Sequence, residues 1–424
     1  MRQLYSLLIL LLAPILLLRL YWRGIKAPMY RERWRERLGY IPAPSSSGCI
    51  WLHAVSVGEV QAAVLLIRRL LEVYPHLPMV ITTTTPTGAQ RVMELFGDEV
   101  THRYGPFDTP FITRRFFNQL QPSLLILMET EIWPNLIHEA YQRGVPTLLA
   151  NARLSVRSAQ RYHRVSGLTR ETLQKITLIA PHGESDAVRF RALGARTSQV
   201  EVTGSIKFDI HLSASLREQS EVQRRAWGNE RPVWLAASTH EGEEEQILQA
   251  HTRIQSAIAD CLLVLVPRHP ERFDQVAEMA RSWGFTTTRR SESRGCGPDT
   301  QVFLGDTMGE LTLLFGASDV AFIGGSLVPH GGHNLLEAAA QSLPVVFGPH
   351  MFNFTEISEL FLKEHAARQV ADSDELAEVV TRWLKNASER SRIGENGRTL
   401  LDSKRGALQK LINLVESLLN QRNN

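Results

Sequence analysis

The chain contains few of the residues that cross-link proteins. Its 424 residues include only three cysteines, Cys49, Cys261 and Cys296, and no two of them have the spacing of a metal site. Such a sparse, odd set argues against a disulfide framework and is typical of a reducing compartment. A long tract of lysine and arginine is also missing, and the formal net charge is only +3. The composition therefore does not favour nucleic acid as a partner.

Long apolar runs are equally scarce, and the one that stands out lies at the N-terminus. Residues 4–18 are almost wholly apolar. A group of basic residues, here called the basic collar, follows: Arg19, Arg23, Lys26, Arg31, Arg33, Arg35 and Arg37. No small-x-small cleavage site follows the run, which argues against a cleaved signal peptide. The pattern predicts a single N-terminal membrane anchor, with a core helix that exposes a basic face as the alternative.

The sequence leaves two placements open for this anchor. The run is shorter than the roughly 20 residues of an ordinary transmembrane helix, so both a spanning helix and a monotopic anchor stay open. In either case the positive charge lies downstream of the run, and such flanks remain on the cytoplasmic side. We therefore expect the bulk of the chain in the cytoplasm, with the basic collar attracting anionic lipid head groups.

The rest of the chain has the composition of a globular protein, with 43% hydrophobic and 21% charged residues. Its length exceeds that of one ordinary core, and short apolar runs alternate with helical patterns as in βαβ units. The pattern predicts an α/β protein with two Rossmann-like domains. The predicted segments are the anchor and collar (1–40), the first domain (41–210), a linker (211–230), the second domain (231–405) and a C-terminal helix (406–424).

Two sets of strands are predicted within these domains, after a Pro/Ser/Gly loop at 41–48. The first set is Ile50–Val55, Met79–Thr84, Ser123–Met128, Thr147–Asn151, Ile176–Ala180 and Val200–Thr203. The second set is Val233–Ala237, Leu262–Val266, Gln301–Leu304, Val320–Ile323 and Pro344–Phe347. Ligands of such folds bind at the carboxyl ends of the strands, in the cleft between domains. Candidate chemistry is therefore expected in the loops that follow the strands.

The loop after the first strand reads His53-Ala-Val-Ser-Val-Gly-Glu59. A carboxylate at Glu59, in the first turn of a helix, would accept a proton from an incoming hydroxyl. Ser56 and Glu59 also have the spacing of a capping box, which is the structural alternative. The two interpretations are compatible with each other.

Two further motifs follow strands of the first domain. In Met128-Glu-Thr-Glu-Ile-Trp-Pro-Asn135, Glu129 would hold a sugar hydroxyl or position an acceptor, or together with Glu131 would serve the N-terminus of the next helix. In Val202-Thr-Gly-Ser-Ile-Lys-Phe-Asp209, Lys207 would offset charge on a leaving phosphate, or would pair with Asp209 on the surface. The pattern alone leaves both choices open.

In the second domain, two loops after strands are suited to a nucleotide. Val266-Pro-Arg-His-Pro-Glu-Arg-Phe273 places Arg268, with its planar fork of donors, where a phosphate would bind. Gly305-Asp-Thr-Met-Gly-Glu310 opens a helix whose free N–H groups suit a base or a phosphate.

The sharpest motif is Ile323-Gly-Gly-Ser-Leu-Val-Pro-His-Gly-Gly-His-Asn-Leu-Leu-Glu-Ala-Ala339. Its glycines let a ligand approach the backbone. Asn334 and Glu337 would share a helical face, where the carboxylate accepts ribose hydroxyls. The alternative is a structural glycine turn with a capped helix. His330 and His333 lack the carboxylate or thiol partners of a metal site, and Asp372-Ser-Asp374 is interpreted as a helix cap, so no metal is predicted.

Taken in order, these motifs resemble those of the 3-deoxy-D-manno-octulosonic acid (Kdo) transferases of lipopolysaccharide synthesis. The segments are S-V-G-E (56–59), M-E-T-E-I-W-P-N (128–135), N-A-R-L-S (151–155), T-G-S-I-K-F-D (203–209), S-T-H-E-G-E (238–243), V-P-R-H-P-E-R-F (266–273), G-D-T-M-G-E (305–310) and G-G-H-N-x-L-E-A (331–338). The series runs from the anchor to near the C-terminus. The resemblance implies a GT-B fold and transfer of Kdo from CMP-Kdo to a lipid A precursor at the bacterial inner membrane, without a metal or other cofactor.

The resemblance also implies a role for individual residues. Glu59 would be the general base, and Glu129 and Lys207 would assist the transition state. The CMP of the donor would be bound by Pro267, Arg268, Met308, Gly309, Glu310, Asn334, Leu335, Leu336 and Glu337. Two alternatives are a nucleotide-sugar epimerase of similar fold, which needs no anchor, and a non-catalytic membrane-attached nucleotide-sugar binding protein, which needs no Glu59.

Overall fold

The computed structural model describes residues 1–42, 48–292 and 295–423, so residues 43–47 of the predicted loop lie outside it. The chain divides into two compact units. The first unit is Met1–Asp209 together with Lys404–Asn424, and the second unit is Ile210–Ser403. Both are α/β units with a parallel sheet, which confirms the predicted fold class.

The first unit is built on a six-stranded parallel sheet. Its strands are β1 (Ile50–His53), β2 (Met79–Thr83), β3 (Thr101–Tyr104), β4 (Leu124–Met128), β5 (Thr147–Ala152) and β6 (Leu178–Pro181). They lie in the order β3-β2-β1-β4-β5-β6, with Ile50 of β1 paired to Met79 on one side and to Leu124 on the other. The strand order reverses between β1 and β4. Ligands of open parallel sheets bind outside the carboxyl ends of the strands at such a switch point.

Within the described part of residues 1–192, nine α-helices precede or follow these strands. They are α1 (Arg2–Lys26), α2 (Trp34–Arg37), α3 (Val57–Val73), α4 (Pro86–Phe96), α5 (Pro110–Leu120), α6 (Pro134–Gln142), α7 (Val156–His163), α8 (Ser166–Leu173) and α9 (Glu184–Ala192). Strands β1, β2, β4 and β5 are buried along their whole length, as expected when helices cover both faces of a parallel sheet. Thr85 and Thr109 cap α4 and α5, each followed by proline at the first helical position.

The second unit is built on a seven-stranded parallel sheet. Its strands are β7 (Val233–Thr239), β8 (Leu262–Pro267), β9 (Thr287–Arg289), β10 (Val302–Leu304), β11 (Val320–Ile323), β12 (Val345–Phe347) and β13 (Ala367–Gln369). They lie in the order β13-β12-β11-β7-β8-β10-β9, so the switch point lies between β7 and β11. Its helices are α10 (Ala214–Trp227), α11 (Glu244–Ala257), α12 (Phe273–Ser282), α13 (Leu311–Gly316), α14 (Leu336–Ala340), α15 (Thr355–Lys363), α16 (Ser373–Lys385) and α17 (Ala387–Lys404).

Two of the predicted segments have a different place in the structure. Most of the predicted linker forms α10, which packs in the second unit: the Ser220 hydroxyl donates to the Leu313 carbonyl, and Trp227 contacts Phe303. The C-terminal helix α18 (Ala407–Asn423) belongs to the first unit, where it packs against α3. The apolar residues of α18 thus pack in a core whose other residues lie far away in the sequence.

The strands that the sequence did not predict are β3, β9 and β13, and all three lie at sheet edges. Their residues are largely polar and only partly buried, so the apolar pattern that marks central strands is weak there. Conversely, the predicted strand Val200–Thr203, within the described part of the chain, forms a single bridge, from Val200 to Ile179.

Candidate active site

Glu59 lies in the first turn of α3, directly after β1, on one side of the first switch point. Its carboxylate accepts hydrogen bonds from the Val55 N–H at 2.8 Å and from the Ser56 hydroxyl at 3.0 Å. The Ser56 Oγ in turn accepts the N–H of Glu59 at 3.4 Å, so the predicted cap is present. Burial, and next the negative charge of Glu131, raise the pKa of Glu59 to about 7. A carboxyl group with this pKa is suited to proton transfer near neutral pH.

Two more carboxyl groups follow β4, on the other side of the switch point. Glu129 has a φ of +53°, in the left-handed region that residues other than glycine rarely adopt. Backbone strain of this kind collects at functional sites. Burial raises the pKa of Glu131, whose carboxylate accepts a hydrogen bond from the Trp133 indole. The charges of Glu131 and Glu129 both raise the pKa of Glu59, so the fold brings the three groups into one electrostatic cluster.

The helix that follows this motif is capped by a different carboxylate. Asp108 accepts the backbone N–H of Asn135 at 3.1 Å and that of Leu136 at 2.8 Å, at the start of α6. The sequence allowed Glu129 and Glu131 this capping role, but the structure gives it to Asp108. The two glutamates are therefore not needed to satisfy that helix end.

His53, which the sequence pattern did not single out, lies beside this cluster. It is fully buried, its Nδ1 lies 2.7 Å from the Thr82 Oγ1, and its ring makes an edge contact with Trp133 at 4.6 Å between centroids. Burial lowers its pKa to about 4, so the ring is neutral at physiological pH. Its Nε2 has no hydrogen-bond partner among the described residues. The signal in the sequence was its place at the head of the motif that ends in Glu59.

Lys207 lies in a short 3₁₀ turn, Ile206–Phe208. The Asn151 side chain fixes this turn, because its Oδ1 accepts the Ile206 N–H at 3.2 Å. Asp209 accepts the N–H groups of Gly406 at 2.6 Å and Leu408 at 2.7 Å, at the start of α18. The surface pair of Lys207 with Asp209 that the sequence allowed is therefore not formed. Within the part of the chain that the structure describes, the Lys207 ammonium has no ion-pair partner.

In the second unit, one buried carboxylate joins the two loops at the switch point. Glu243, in the loop after β7, accepts the N–H groups of Gly325 at 2.7 Å, Ser326 at 3.1 Å and Leu327 at 3.0 Å, which follow β11. It also accepts the His240 N–H at 3.3 Å. Successive N–H groups of this kind form a nest that binds anions. Because an internal carboxylate fills the nest, the glycine-rich loop is held in one conformation and these N–H groups are already occupied.

Four histidines lie together, two within this loop and two beside it. The Nε2 atoms of His240 and His333 lie 2.7 Å apart, so one ring donates a hydrogen bond to the other. The His240 ring stacks on His330 at 4.2 Å and makes an edge contact with His269 at 5.3 Å. Burial, and next the charge of neighbouring histidines, lower the pKa of both His240 and His333 to about 4, and Arg268 adds to the effect. His240 and His333 are therefore neutral hydrogen-bonding rings near the Arg268 cation.

Arg268 directly follows β8, whose last residue, Pro267, is buried. The Arg268 N–H donates to the Thr239 carbonyl at 3.0 Å, which fixes its backbone beside β7. Its exposed guanidinium has no ion-pair partner among the residues described, whereas nearby Arg272 is paired to the buried Glu244. The fork of donors on Arg268 is thus free for a phosphate.

The Met308-Gly309-Glu310 run follows β10. Met308 and Gly309 are exposed, and Gly309 has a φ of +86°. Arg290 donates to both carboxylate oxygens of Glu310, at 2.8 and 3.0 Å, and these hydrogen bonds lower the pKa of Glu310. The acidic side chain is therefore held in a fixed orientation, with an exposed backbone beside it.

The structure corrects the predicted geometry of Asn334 and Glu337. Helix α14 begins at Leu336, so Asn334 precedes it and does not share its face with Glu337. Instead, the Asn334 amide donates to Glu337 at 3.3 Å, and its Oδ1 accepts the Leu336 N–H at 3.1 Å. Glu337 also accepts the Thr312 hydroxyl at 2.8 Å. Leu335 and Leu336 are fully buried, so their side chains pack in the core rather than face a ligand.

Asp372 caps α16 by accepting the N–H groups of Asp374 at 2.9 Å and Glu375 at 3.0 Å, and Glu375 accepts the Ala371 N–H. The helix-cap interpretation of Asp372-Ser-Asp374 is thus confirmed. Among the described residues, no group of three or more histidine, cysteine or acidic side chains is arranged to hold a metal ion.

Comparisons with known proteins bear on both units. The family model described as 3-deoxy-D-manno-octulosonic-acid transferase (kdotransferase) matches residues 32–210, and that described as glycosyl transferases group 1 matches residues 245–400. A 3-deoxy-D-manno-octulosonic acid transferase of Haemophilus influenzae is 43% identical, over 99% of both chains. One of Bordetella pertussis is 34% identical, also over 99% of both chains.

Among solved structures, the UDP-GlcNAc 2-epimerase of Neisseria meningitidis, bound to UDP-GlcNAc, aligns with a TM-score of 0.56. The alignment covers 87% of this chain and 99% of that chain at 13% sequence identity. Identity this low shows a shared fold alone.

Proposed function

Since the chain belongs to the family of 3-deoxy-D-manno-octulosonic acid (Kdo) transferases, we propose that it moves Kdo from CMP-Kdo to a lipid A precursor with inversion at the anomeric carbon. Its family and its GT-B fold make the chain a glycosyltransferase of lipopolysaccharide synthesis. The observation that carries the proposed mechanism is the buried Glu59 carboxyl group, whose pKa is raised to about 7.

The proposed reaction is a single displacement. The acceptor hydroxyl oxygen bonds to the anomeric carbon of Kdo on the face opposite the phosphate. The bond from that carbon to the phosphate oxygen breaks, and its electron pair leaves with CMP. Glu59 accepts the hydroxyl proton and later passes it to water. The Val55 N–H and the Ser56 hydroxyl support this role because they hold the carboxylate in one position.

Two further residues of the first unit are proposed to assist the transition state. The strained backbone of Glu129 fixes the position of its Cβ, and its charge is one of those that act on Glu59. The Lys207 ammonium would offset the negative charge that develops on the leaving phosphate. Its lack of an ion-pair partner among the described residues supports this role, since no carboxylate there neutralises it.

The second unit is proposed to bind the CMP of the donor. Arg268 would hold the phosphate with its free guanidinium, and the exposed Met308-Gly309-Glu310 backbone would lie along the base. Asn334 and Glu337, already hydrogen-bonded to each other, would meet the ribose hydroxyls. Pro267, Leu335 and Leu336 would contribute backbone groups and packing, because all three are buried.

The chain is proposed to work on the cytoplasmic side of the bacterial inner membrane. Among the described residues one helix, α1, is long and apolar enough to cross a membrane, over Arg2–Ile25, and its most apolar 18 residues have a mean hydropathy of 2.2. The basic collar follows it and would attract anionic lipids as well as an acceptor that carries phosphates. Attachment would place the enzyme where a lipid acceptor is found.

Neither alternative function is favoured. An epimerase shares the fold, but the relative that is 43% identical over nearly the whole chain is a transferase. A non-catalytic binding protein would not need a buried carboxyl group with a raised pKa after β1.

The proposal is tested by incubating the purified full chain with CMP-Kdo, with and without lipid A precursor, and measuring free CMP. We expect CMP release that depends on the lipid and matches the amount of Kdo transferred. Turnover of the nucleotide sugar without lipid would indicate an epimerase-like enzyme. Tight binding of CMP-Kdo with no release in the presence of lipid would indicate a binding protein. The Glu59→Ala variant should bind CMP with normal affinity but should produce no CMP from CMP-Kdo.

A further inference from the structure

The first two turns of α1 are hydrogen-bonded to the first unit. Arg2 donates to the Asn135 Oδ1 at 3.0 Å, and the Ser6 hydroxyl donates to the same atom at 2.8 Å. The Tyr5 hydroxyl donates to Asp108 at 2.9 Å. Asp108 and Asn135 are 8% and 1% exposed, and they belong to the capped start of α6. The N-terminal end of the apolar helix is therefore docked on the folded unit.

The other end of α1 leads back to the same unit. The helix ends at Lys26, and the chain turns through a 3₁₀ helix at Pro28–Arg31. Arg33 then donates to the His102 carbonyl at 2.7 Å, and Glu36 accepts the Tyr104 N–H at 2.8 Å, both at β3. The apolar helix is thus tied to one folded unit at both ends.

Between these two ends, α1 exposes large apolar side chains. Leu11 is 65% exposed, Ile15 60%, Leu18 57%, Trp22 69% and Ile25 63%. A patch of this extent is not left in water by a soluble protein and marks a surface for a lipid or protein partner.

Except for Gln3 near its start and Tyr21, the polar residues of α1 lie on one side of the helix. At 3.6 residues per turn, Arg2, Tyr5, Ser6, Arg19 and Arg23 fall within roughly 160° of the circumference. The opposite side, from residue 4 to residue 25, carries apolar and aromatic residues. In a helix that crosses a bilayer, the charged residues at the two ends need not lie on the same side of the helix. In a helix that lies along a membrane surface they must, because one side faces head groups and the other faces acyl chains.

We propose that α1 lies within the cytoplasmic leaflet, parallel to the membrane plane, and does not cross the bilayer. A spanning placement would separate the ends of α1 by a hydrocarbon core of about 30 Å. The hydrogen bonds at Arg2, Tyr5 and Ser6 and those at Arg33 and Glu36 hold both ends on one unit, which occupies one side of the membrane.

One leaflet is thick enough for this placement. An α-helix with its side chains is about 10 Å across, and one leaflet provides about 15 Å of hydrocarbon. The partner is a leaflet rich in anionic phospholipids, because Arg19 and Arg23 lie on the side that faces the head groups. This inference rests on the membrane attachment proposed above and adds its topology.

The test compares two reporters in the full chain, expressed in bacteria in a Cys296→Ser background, in which Cys49 and Cys261 are buried. One reporter is a short hydrophilic tag with a single cysteine, placed ahead of Met1. The other is Glu278→Cys on the exposed side of α12. Each is treated with a membrane-impermeant maleimide in intact spheroplasts and in inverted inner-membrane vesicles.

Both reporters are expected to react in inverted vesicles and to stay unlabelled in spheroplasts. Reaction of the tag in spheroplasts, with Glu278→Cys labelled only in inverted vesicles, would show a spanning helix and overturn the inference. Membrane recovery and Kdo transfer are measured on the same samples. A chain that is soluble or inactive contradicts the proposed function, whereas an active, membrane-bound chain with its reporters on opposite sides contradicts only the in-plane placement.

Discussion

The carboxyl group of Glu59 is buried and accepts two hydrogen bonds, so the protein sets its protonation state. A general base must be ionised, and the pKa of Glu59 is about 7, raised mainly by burial. The ionised fraction therefore rises with pH through 7. We expect kcat/KM for Kdo transfer to fall about tenfold per pH unit well below this pKa and to level off above it. A profile measured between about pH 5 and pH 9 that stays flat through 7 would argue against Glu59 as the base.

Replacing the same side chain tests the role directly. Glu59→Gln keeps the size of the residue and an acceptor for the Val55 N–H, but it cannot take a proton. We expect kcat to fall about 10²- to 10⁴-fold, with CMP affinity unchanged in a calorimetric titration. The matched control is Glu72→Gln, which alters an exposed glutamate on the same helix, α3. Near-normal transfer by Glu59→Gln would remove the assignment.

Glu243 supports a second prediction at this scale, because its two oxygens accept four backbone N–H groups. Glu243→Gln puts an amide NH₂ against two of those donors, and each buried donor left without an acceptor costs about 1–3 kcal/mol. We expect a lower free energy of unfolding in urea and a KM for CMP-Kdo raised about tenfold, with the KM for lipid unchanged. The control is Glu245→Gln, two residues away and exposed. Equal behaviour of the two variants would show that the buried carboxylate does not hold the glycine-rich loop.

Among the elements, α18 shows how a distant segment completes a core. Its residues Leu411, Val415 and Leu418 are buried with α3 in the first unit, and Asp209 accepts two N–H groups at its start. Asp209→Ala removes this cap, and lost caps destabilise proteins by about 0.5–2 kcal/mol. We expect the free energy of unfolding to fall by about that amount, while Asp98→Ala, at an exposed aspartate of the same unit, has little effect. A loss no larger than that of Asp98→Ala would show that α18 does not depend on this cap.

The elements also show which parts of the fold can be predicted from the sequence. Central strands such as β4 and β8 are buried along their whole length, so their apolar runs are distinct in the sequence. The edge strands β3, β9 and β13 pair on one side only and carry polar residues, so nothing in their composition sets them apart from loops. The sequence predicts a strand best where the strand is covered on both faces.

The residues of the candidate sites also differ in how well the sequence predicts their role. Motifs that follow a strand, such as the one that contains Glu59, were located because their position is local in the sequence. The cap of α6 by Asp108 and the contact of Glu243 with Gly325 join residues 27 and 82 positions apart. The periodicity of apolar residues in the sequence does not reveal contacts between residues so far apart. The sequence alone therefore could not decide whether Glu129 and Glu131 cap a helix.

Over the whole molecule, the net charge is small but unevenly distributed. The basic collar holds seven basic residues against Glu32 and Glu36, whereas the entire chain carries only +3. The structure separates the collar into two groups. Arg33 pairs with Glu36 and contacts His102, and Arg37 is buried, so these two support the fold. The cations that remain exposed are the ones suited to lipid.

Arg31 and Arg35 are exposed and lie over the rings of Tyr21 and Tyr40, so their guanidinium groups are held in place without a carboxylate partner among the described residues. Each basic residue near an anionic surface contributes about 1 kcal/mol. We expect Arg31→Gln/Arg35→Gln to raise the KM for the lipid acceptor roughly 10- to 30-fold at low salt, and less at high salt because of screening. The KM for CMP-Kdo should not change.

The control, Arg217→Gln/Arg392→Gln, removes the same charge from exposed positions of the second unit. An equal rise in the KM for lipid in both double variants would show that the effect comes from net charge alone. No rise in either variant would exclude the collar from acceptor recognition.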